Sequence, residues 1–190
     1  MKKIILSSTL MSAILLILGT LFISSGKAWS DDDGEIWRLF DRKPTVLPVV
    51  HNTYKDECSS CHMAYSPGLL PSESWKKIML NLENHFGDNA ELNAETQKEI
   101  LNYLLENSAE NTDYRSSQKI IRSLTENKVV DRITMTPYFI RKHDEIPKRF
   151  ITENPKVASF SQCNSCHKNA EKGHFDEDDV NIPGIGSWED

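Results

Sequence analysis

The sequence predicts a mostly α-helical protein, several short helices joined by long irregular connections around a core that its own side chains do not fill. Three observations carry this reading. Apolar residues recur at three- and four-residue spacing inside segments bounded by capping residues. No alternating strand pattern of any length occurs, and no repeat of fixed period. Hydrophobic residues make up only 38% of the 190 residues, low for a core of this size.

The chain opens on Lys2-Lys3, then runs apolar and uncharged from Ile4 to about Ile23, and reaches Ala28-Trp29-Ser30. A basic start, an apolar stretch and small residues at alternate positions read as a secretory signal over residues 1–30, cleaved before Asp31. The alternative for the same run is an uncleaved membrane anchor, which Ser7, Ser8, Thr9, Ser12 and Thr20 weaken. Residues 31–190 then form the working domain, and export implies a periplasmic location. Residues 1–30 hold three lysines and no acid, so residues 31–190 carry 19 Lys and Arg against 28 Asp and Glu, a formal net charge of −9. Such a surface argues against nucleic acid or anionic membrane and for a partner with a basic docking face.

Along the domain, residues 31–50 are acidic and then contain Pro44 and Pro48, which suits an irregular surface segment. Ser72 reads as an N-cap and Gly87 as the residue that closes its helix, with Trp75, Ile78, Leu82 and Phe86 at helical spacing and His85 on the same apolar face. A second helix is predicted over Ala94–Glu106, capped by Asn93 and presenting Ile100, Leu101, Leu104 and Leu105. Ser116–Thr125 reads as a weaker third. Residues 126–136 are ambiguous, and Val129, Val130 and Ile133 suit a short extended piece. Thr136-Pro137 is a cap followed by a first-turn proline, and opens a short helix over Tyr138–His143 with Phe139 and His143 on one face. A last helix ends at Gly173, and the tail from Asp176 reads as irregular.

The four cysteines fall in two pairs, Cys58/Cys61 and Cys163/Cys166, each spaced C-x-x-C and each followed at once by histidine, His62 and His167. An even count in an oxidising compartment ordinarily means disulfides, and two such pairs could in principle hold zinc. Neither needs the histidines. Histidine is 6 of 190 residues, so finding it after both pairs by chance has odds of about one in a thousand. A thioredoxin-like redox pair would want a βαβ context, which is absent. Two thiols three residues apart reach the two vinyl-derived carbons of one haem, and the next histidine meets the iron from the same side. The reading is therefore two covalently attached haem c groups, thioether-linked at Cys58, Cys61, Cys163 and Cys166. Two large apolar planes would also supply the missing core.

The ligand opposite His62 and His167 decides the chemistry: methionine raises the potential, a second histidine lowers it, and an open position admits small molecules. His85, 23 residues after His62, and His143, 24 residues before His167, are the candidates, each on an apolar helix face. His51 is a weaker candidate in an irregular segment, and His174 follows His167 too closely to cross a haem plane. Met63, Met79 and Met135 read as packing.

The run Glu57 to Tyr65, then Pro67-Gly68-Leu69-Leu70-Pro71, resembles the bacterial dihaem cytochrome c family. So do Ser74-Trp75, His85-Phe86-Gly87, Arg132-Ile133-Thr134, Phe139, Arg141-Lys142-His143, Cys163 to His167, Ala170 and Gly173, out to Ile182-Pro183. The resemblance implies a small, mostly helical periplasmic protein with two low-spin haems, His85 and His143 standing at the positions of the distal ligands. It also implies a high-spin oxygen-binding c-type cytochrome as electron acceptor and a membrane b-type cytochrome as companion.

Two functions are then in play. The first is an electron carrier with both irons closed, no substrate of its own and redox proteins as partners. The second is a haem enzyme, a peroxidase or small-ligand reductase, with one axial position open and one of the two histidines structural. A haem-based sensor would need a signalling domain that the sequence does not contain.

Overall fold

The computed structural model describes residues 42–124 and 129–188. The chain divides into two units, Met1–Arg42 and Lys43–Asp190. The leader expected over residues 1–30 and the acidic stretch after it lie outside the described residues, as does the expected helix end at Thr125. Among the described residues no helix is long and apolar enough to cross a membrane.

Within Lys43–Asp190 the described residues form six short α-helices separated by 3-10 turns, with one two-stranded hairpin near the end. The chain is mostly helical, as its periodicities predict. Helix α1 (Asn52–Cys58) starts on His51, whose Nδ1 accepts the Tyr54 N–H at 3.2 Å, an imidazole doing what Ser or Asp ordinarily does at an N-cap. Residues 43–50 have no helix or strand, in line with their prolines. A 3-10 turn at Pro67–Leu69 then leads into α2 (Ser72–Met79), and its Pro67 carbonyl accepts the Trp75 Nε1–H at 2.7 Å.

The expected single helix from a Ser72 cap to Gly87 is corrected on two counts. Ser72 is the first helical residue, not the cap. The Glu110 carboxylate accepts its N–H at 2.9 Å and supplies the missing acceptor from another part of the chain. The helix also stops at Leu80. Asn81 takes φ −136° and ψ 40°, and its side-chain amide donates to the Asn84 carbonyl at 3.4 Å, a local bond that competes with the helix ladder. A 3-10 turn at Leu82–Asn84 follows, so His85 sits on a loop and not on a helix face.

Helix α3 (Ala94–Glu106) runs as predicted, with the Asn93 Oδ1 accepting the Thr96 N–H at 2.9 Å. It packs on α2, burying Ile100 and Leu104, together with Tyr103, on which the apolar pattern is silent. Helix α4 (Arg115–Ser123) starts one residue before the predicted position. In place of the extended piece expected near Ile133 there is a 3-10 turn, Ile133–Met135. Helix α5 (Pro137–His143) has the predicted cap: the fully buried Thr136 accepts the Phe139 N–H at 3.2 Å through Oγ1 and donates to the Ile133 carbonyl at 2.9 Å.

The second cysteine pair lies on a single turn, α6 (Cys163–Cys166), which ends at His167 and does not reach Gly173. Gly173 instead closes a 3-10 turn, Ala170–Lys172, in the left-handed conformation. The tail also departs from expectation. Asn181–Ile182 (β1) pairs antiparallel with Gly186–Ser187 (β2), in register Asn181 to Ser187. Two residues a strand fall below what any alternation in sequence can signal.

The buried side chains gather unevenly. Around the first cysteine pair, Tyr54, Ala64, Leu70, Trp75, Met79, Ile100 and Leu104 form a continuous cluster. A smaller cluster of Val46, Leu69 and Ile120 has Tyr65, Ile133, Tyr138 and Phe175 packed against it. Toward the second pair, Ile151, Val157 and Ile182 are buried and line a cavity.

Candidate functional site

Helix α1 brings Cys58 to its last residue, and the chain then turns through Cys61 to His62. The His62 ring stacks on Tyr65, centroids 4.4 Å apart and planes at 16°. Its Nδ1 lies 2.8 Å from the Met63 carbonyl. A carbonyl only accepts, so the proton is on Nδ1 and the lone pair on Nε2 is free to bind a metal. Across from it stands His85, ring centroid 6.3 Å from that of His62.

The loop that holds His85 is closed by its N–H donating to Asp88 at 2.8 Å and by Ala90 donating to the Leu82 carbonyl at 2.9 Å. Phe86 takes φ +59°, a conformation that costs a residue with a Cβ about 1 kcal/mol or more. Its ring lies 4.9 Å from His85 and under the Arg132 guanidinium at 3.9 Å. Burial, then His62 and Arg132, hold His85 below the ordinary imidazole range, in the neutral form a ligand needs.

At the second pair, one helical turn sets Cys163 and Cys166 on neighbouring positions, and the His167 N–H closes the turn on the Cys163 carbonyl at 2.8 Å. The backbone of His167 bridges to Val180, and Phe175 packs on its ring at 5.2 Å. Burial, then the neighbouring His143, pull the His167 imidazole down to about 4. Its Nδ1 is buried with no hydrogen-bond partner.

His143 ends α5. Its ring stacks on Phe139 at 3.8 Å and 9°, and its Nδ1 lies 2.9 Å from the Phe139 carbonyl, again leaving Nε2 as the lone-pair nitrogen. Phe160 meets it edge-on at 5.8 Å. The His143 and His167 centroids are 6.2 Å apart.

Both spacings fit one iron between two imidazoles. Two metal–nitrogen bonds of about 2.0 Å, with about 1.1 Å from each nitrogen to its ring centre, separate the centroids by about 6.2 Å. The surroundings fit a large flat group as well. His143, His167, Cys163 and Cys166 line a cavity of about 1150 Å³ counting its open mouth, walled by side chains such as Ile120, Phe139, Ile151, Val157 and Ile182. On the His85 side of the first pair lies a more open groove with Lys77, Asn84, Phe86 and Arg132 in its walls.

No disulfide joins Cys58, Cys61, Cys163 and Cys166. Among the described residues no group of three or more His, Cys, Asp or Glu is placed to hold an ion by itself. The two cysteine pairs therefore do not converge on a zinc site.

The remaining histidines and methionines take other parts. His51 caps α1 through Nδ1, and its Nε2 lies 3.3 Å from Glu99. His174 is half-buried, with its N–H on the Asn169 carbonyl. Met63 and Met79 are buried in packing, while Met135 is on the surface, half exposed. No sequence pattern singles out a part for Tyr65, Phe160 or Phe175 at the two sites. Only the position of Tyr65, three residues beyond His62, hinted at one.

Comparison with known proteins decides the assignment. The family model for dihaem cytochrome c matches residues 54–175, spanning both cysteine pairs and all four facing histidines. The chain belongs to the dihaem cytochrome c family. Among solved structures, a diheme cytochrome c from Shewanella baltica OS155 is 48% identical over 73% of this chain and 97% of its own, with a TM-score of 0.60. A diheme cytochrome c from Rhodobacter sphaeroides is 39% identical over 68% of this chain and all of its own, with a TM-score of 0.61. No curated protein matches. This family member is a small helical c-type cytochrome that binds two c-type haems with iron and transfers electrons. Its family generally moves electrons rather than acting on a substrate.

Proposed function

We propose that the protein is a periplasmic electron carrier in which both irons are closed by histidine. His62 and His85 hold one haem, tethered at Cys58 and Cys61, and His143 and His167 hold the other, tethered at Cys163 and Cys166. The observation that carries this is the facing of two imidazole pairs at 6.3 and 6.2 Å.

When bound, each haem supplies reversible one-electron exchange between ferric and ferrous iron. The chain's own residues do the rest. The Met63 and Phe139 carbonyls fix the tautomers of His62 and His143 and aim their Nε2 atoms. The walls around His143 and His167 exclude water, which favours the less charged ferrous state and keeps small ligands out. Residues 1–30 serve as the cleaved export signal, and residues 31–190 as the cytochrome domain. The net charge of −9 over residues 31–190 suits a redox partner with a basic docking face. By family resemblance that partner is a high-spin oxygen-binding c-type cytochrome or a membrane b-type cytochrome.

Electron paramagnetic resonance of the oxidised holoprotein tests this reading. Two low-spin signals are expected, together with no carbon monoxide binding after reduction. His85→Ala and His143→Ala should each turn one haem high-spin. A high-spin or carbon-monoxide-binding haem in the unaltered protein would sink the carrier and point to the open-site enzyme.

A further inference from the structure

Tyr65 makes a local contact to the first site and a long-range one to the second, and nothing in the ligation scheme accounts for them. Its ring stacks on His62 at 4.4 Å. Its hydroxyl donates to the Ser161 carbonyl at 2.7 Å, 96 residues further along the chain and two residues before Cys163. Its own carbonyl accepts the Tyr54 hydroxyl at 2.8 Å, and Tyr54 lies on α1, the helix that delivers Cys58. Its side chain also packs against both buried clusters of the unit.

We propose that Tyr65 is a positioning residue that fixes the two haem sites relative to each other, its ring locating the first proximal histidine and its hydroxyl holding the backbone that leads into the second cysteine pair. Helix α6 is a single turn, and the segment before it, residues 151–162, contains neither helix nor strand. The hydroxyl bond is therefore a direct tie between that segment and the chain around His62. The phenol suits the task chemically, since its ring stacks on His62 while its hydroxyl donates to the Ser161 carbonyl. For a carrier this matters because the exchange between two irons depends steeply on their separation and mutual orientation, which ligation alone does not set.

The inference rests on the two-haem, bis-histidine reading, and the experiment separates the two. Soret-region circular dichroism of the oxidised holoprotein reads the relative placement of the haems, because two such chromophores held close in fixed orientation give a split couplet. Tyr65→Phe keeps the ring and removes the tie, while Tyr65→Leu removes both. The couplet should lose amplitude in Tyr65→Phe and more in Tyr65→Leu, with both irons still low-spin. Losing one hydrogen bond of this class should also raise amide exchange around Ser161 about two- to tenfold in Tyr65→Phe.

If Tyr65→Leu does not load two haems, Tyr65→Phe decides alone. A wild-type protein without a couplet overturns the proposal, and so do variants whose couplets superimpose on the wild type, even with faster exchange. A high-spin iron in the wild type overturns the ligation reading instead.

Discussion

Replacing Gly173 by alanine is expected to destabilise the holoprotein by about 2–4 kcal/mol, because two separate penalties meet at that residue. Gly173 has φ +81° and ψ 15°, the left-handed region, where a residue with a Cβ loses roughly 1–2 kcal/mol. A Cβ built there would also stand 2.4 Å from the Val46 carbonyl oxygen, a backbone atom that cannot swing aside. Relief requires the 45–46 segment to move. That segment is bound through Gly173 itself, whose carbonyl accepts Thr45 N–H at 2.8 Å, Val46 N–H at 3.2 Å and the Thr45 hydroxyl at 3.3 Å. Weakening one or two of these adds about 1 kcal/mol each.

Gly184→Ala isolates the first penalty, since Gly184 has nearly the same φ, +84°, with nothing within 4 Å of the added methyl. Guanidinium unfolding followed by far-ultraviolet circular dichroism measures both variants. The midpoint should fall clearly further for Gly173→Ala than for Gly184→Ala. Equal shifts would refute the steric half of the argument and leave only the conformational half.

Other perturbations should act as follows. Thr136→Ala removes the cap of α5 and leaves the Phe139 N–H without its acceptor, at a cost of about 1–2 kcal/mol; because α5 ends at His143, carbon monoxide should gain partial access to one reduced haem and not the other. The pH dependence of unfolding tests the burial of Tyr65. Its phenol is raised from the ordinary 10.0 to about 12, chiefly by burial, so folding favours the protonated form. The sign follows: this contribution is complete below about pH 10 and is lost as pH rises toward 12, seen as a falling unfolding midpoint that Tyr65→Phe flattens.

What the sequence made legible was the chemistry that is local. The two C-x-x-C-H runs point to the cofactor because the whole signal is contained in five consecutive residues. Helices α3 and α5 could be read from Asn93 and Thr136, whose capping bonds span three residues. His85 shows where such reading stops. The periodicity that placed it on a helix face extends a regular pattern through Asn81, where a side-chain bond to Asn84 diverts the backbone, and the structure brings His85 to His62 through a loop with a left-handed Phe86. Glu110 capping α2 and Tyr65 reaching Ser161 join residues 38 and 96 apart, and no window of sequence carries either pairing.

The two sites are also supported in different ways, and the difference follows from where side chains are scarce. The first lies against a continuous cluster that includes Trp75, Ile100 and Leu104, so protein side chains supply packing beside it. At the second, Ile120, Ile151, Val157 and Ile182 are almost wholly buried and yet line the cavity between His143 and His167. Apolar walls that face a gap forgo the dispersion contacts that stabilise a core, and they recover them only when an apolar plane of matching size lies between them. The modest hydrophobic content thus has a specific address. If a haem fills that gap it serves this half of the domain as both redox centre and core, and its attachment and the final placement of α5 opposite α6 should be one event.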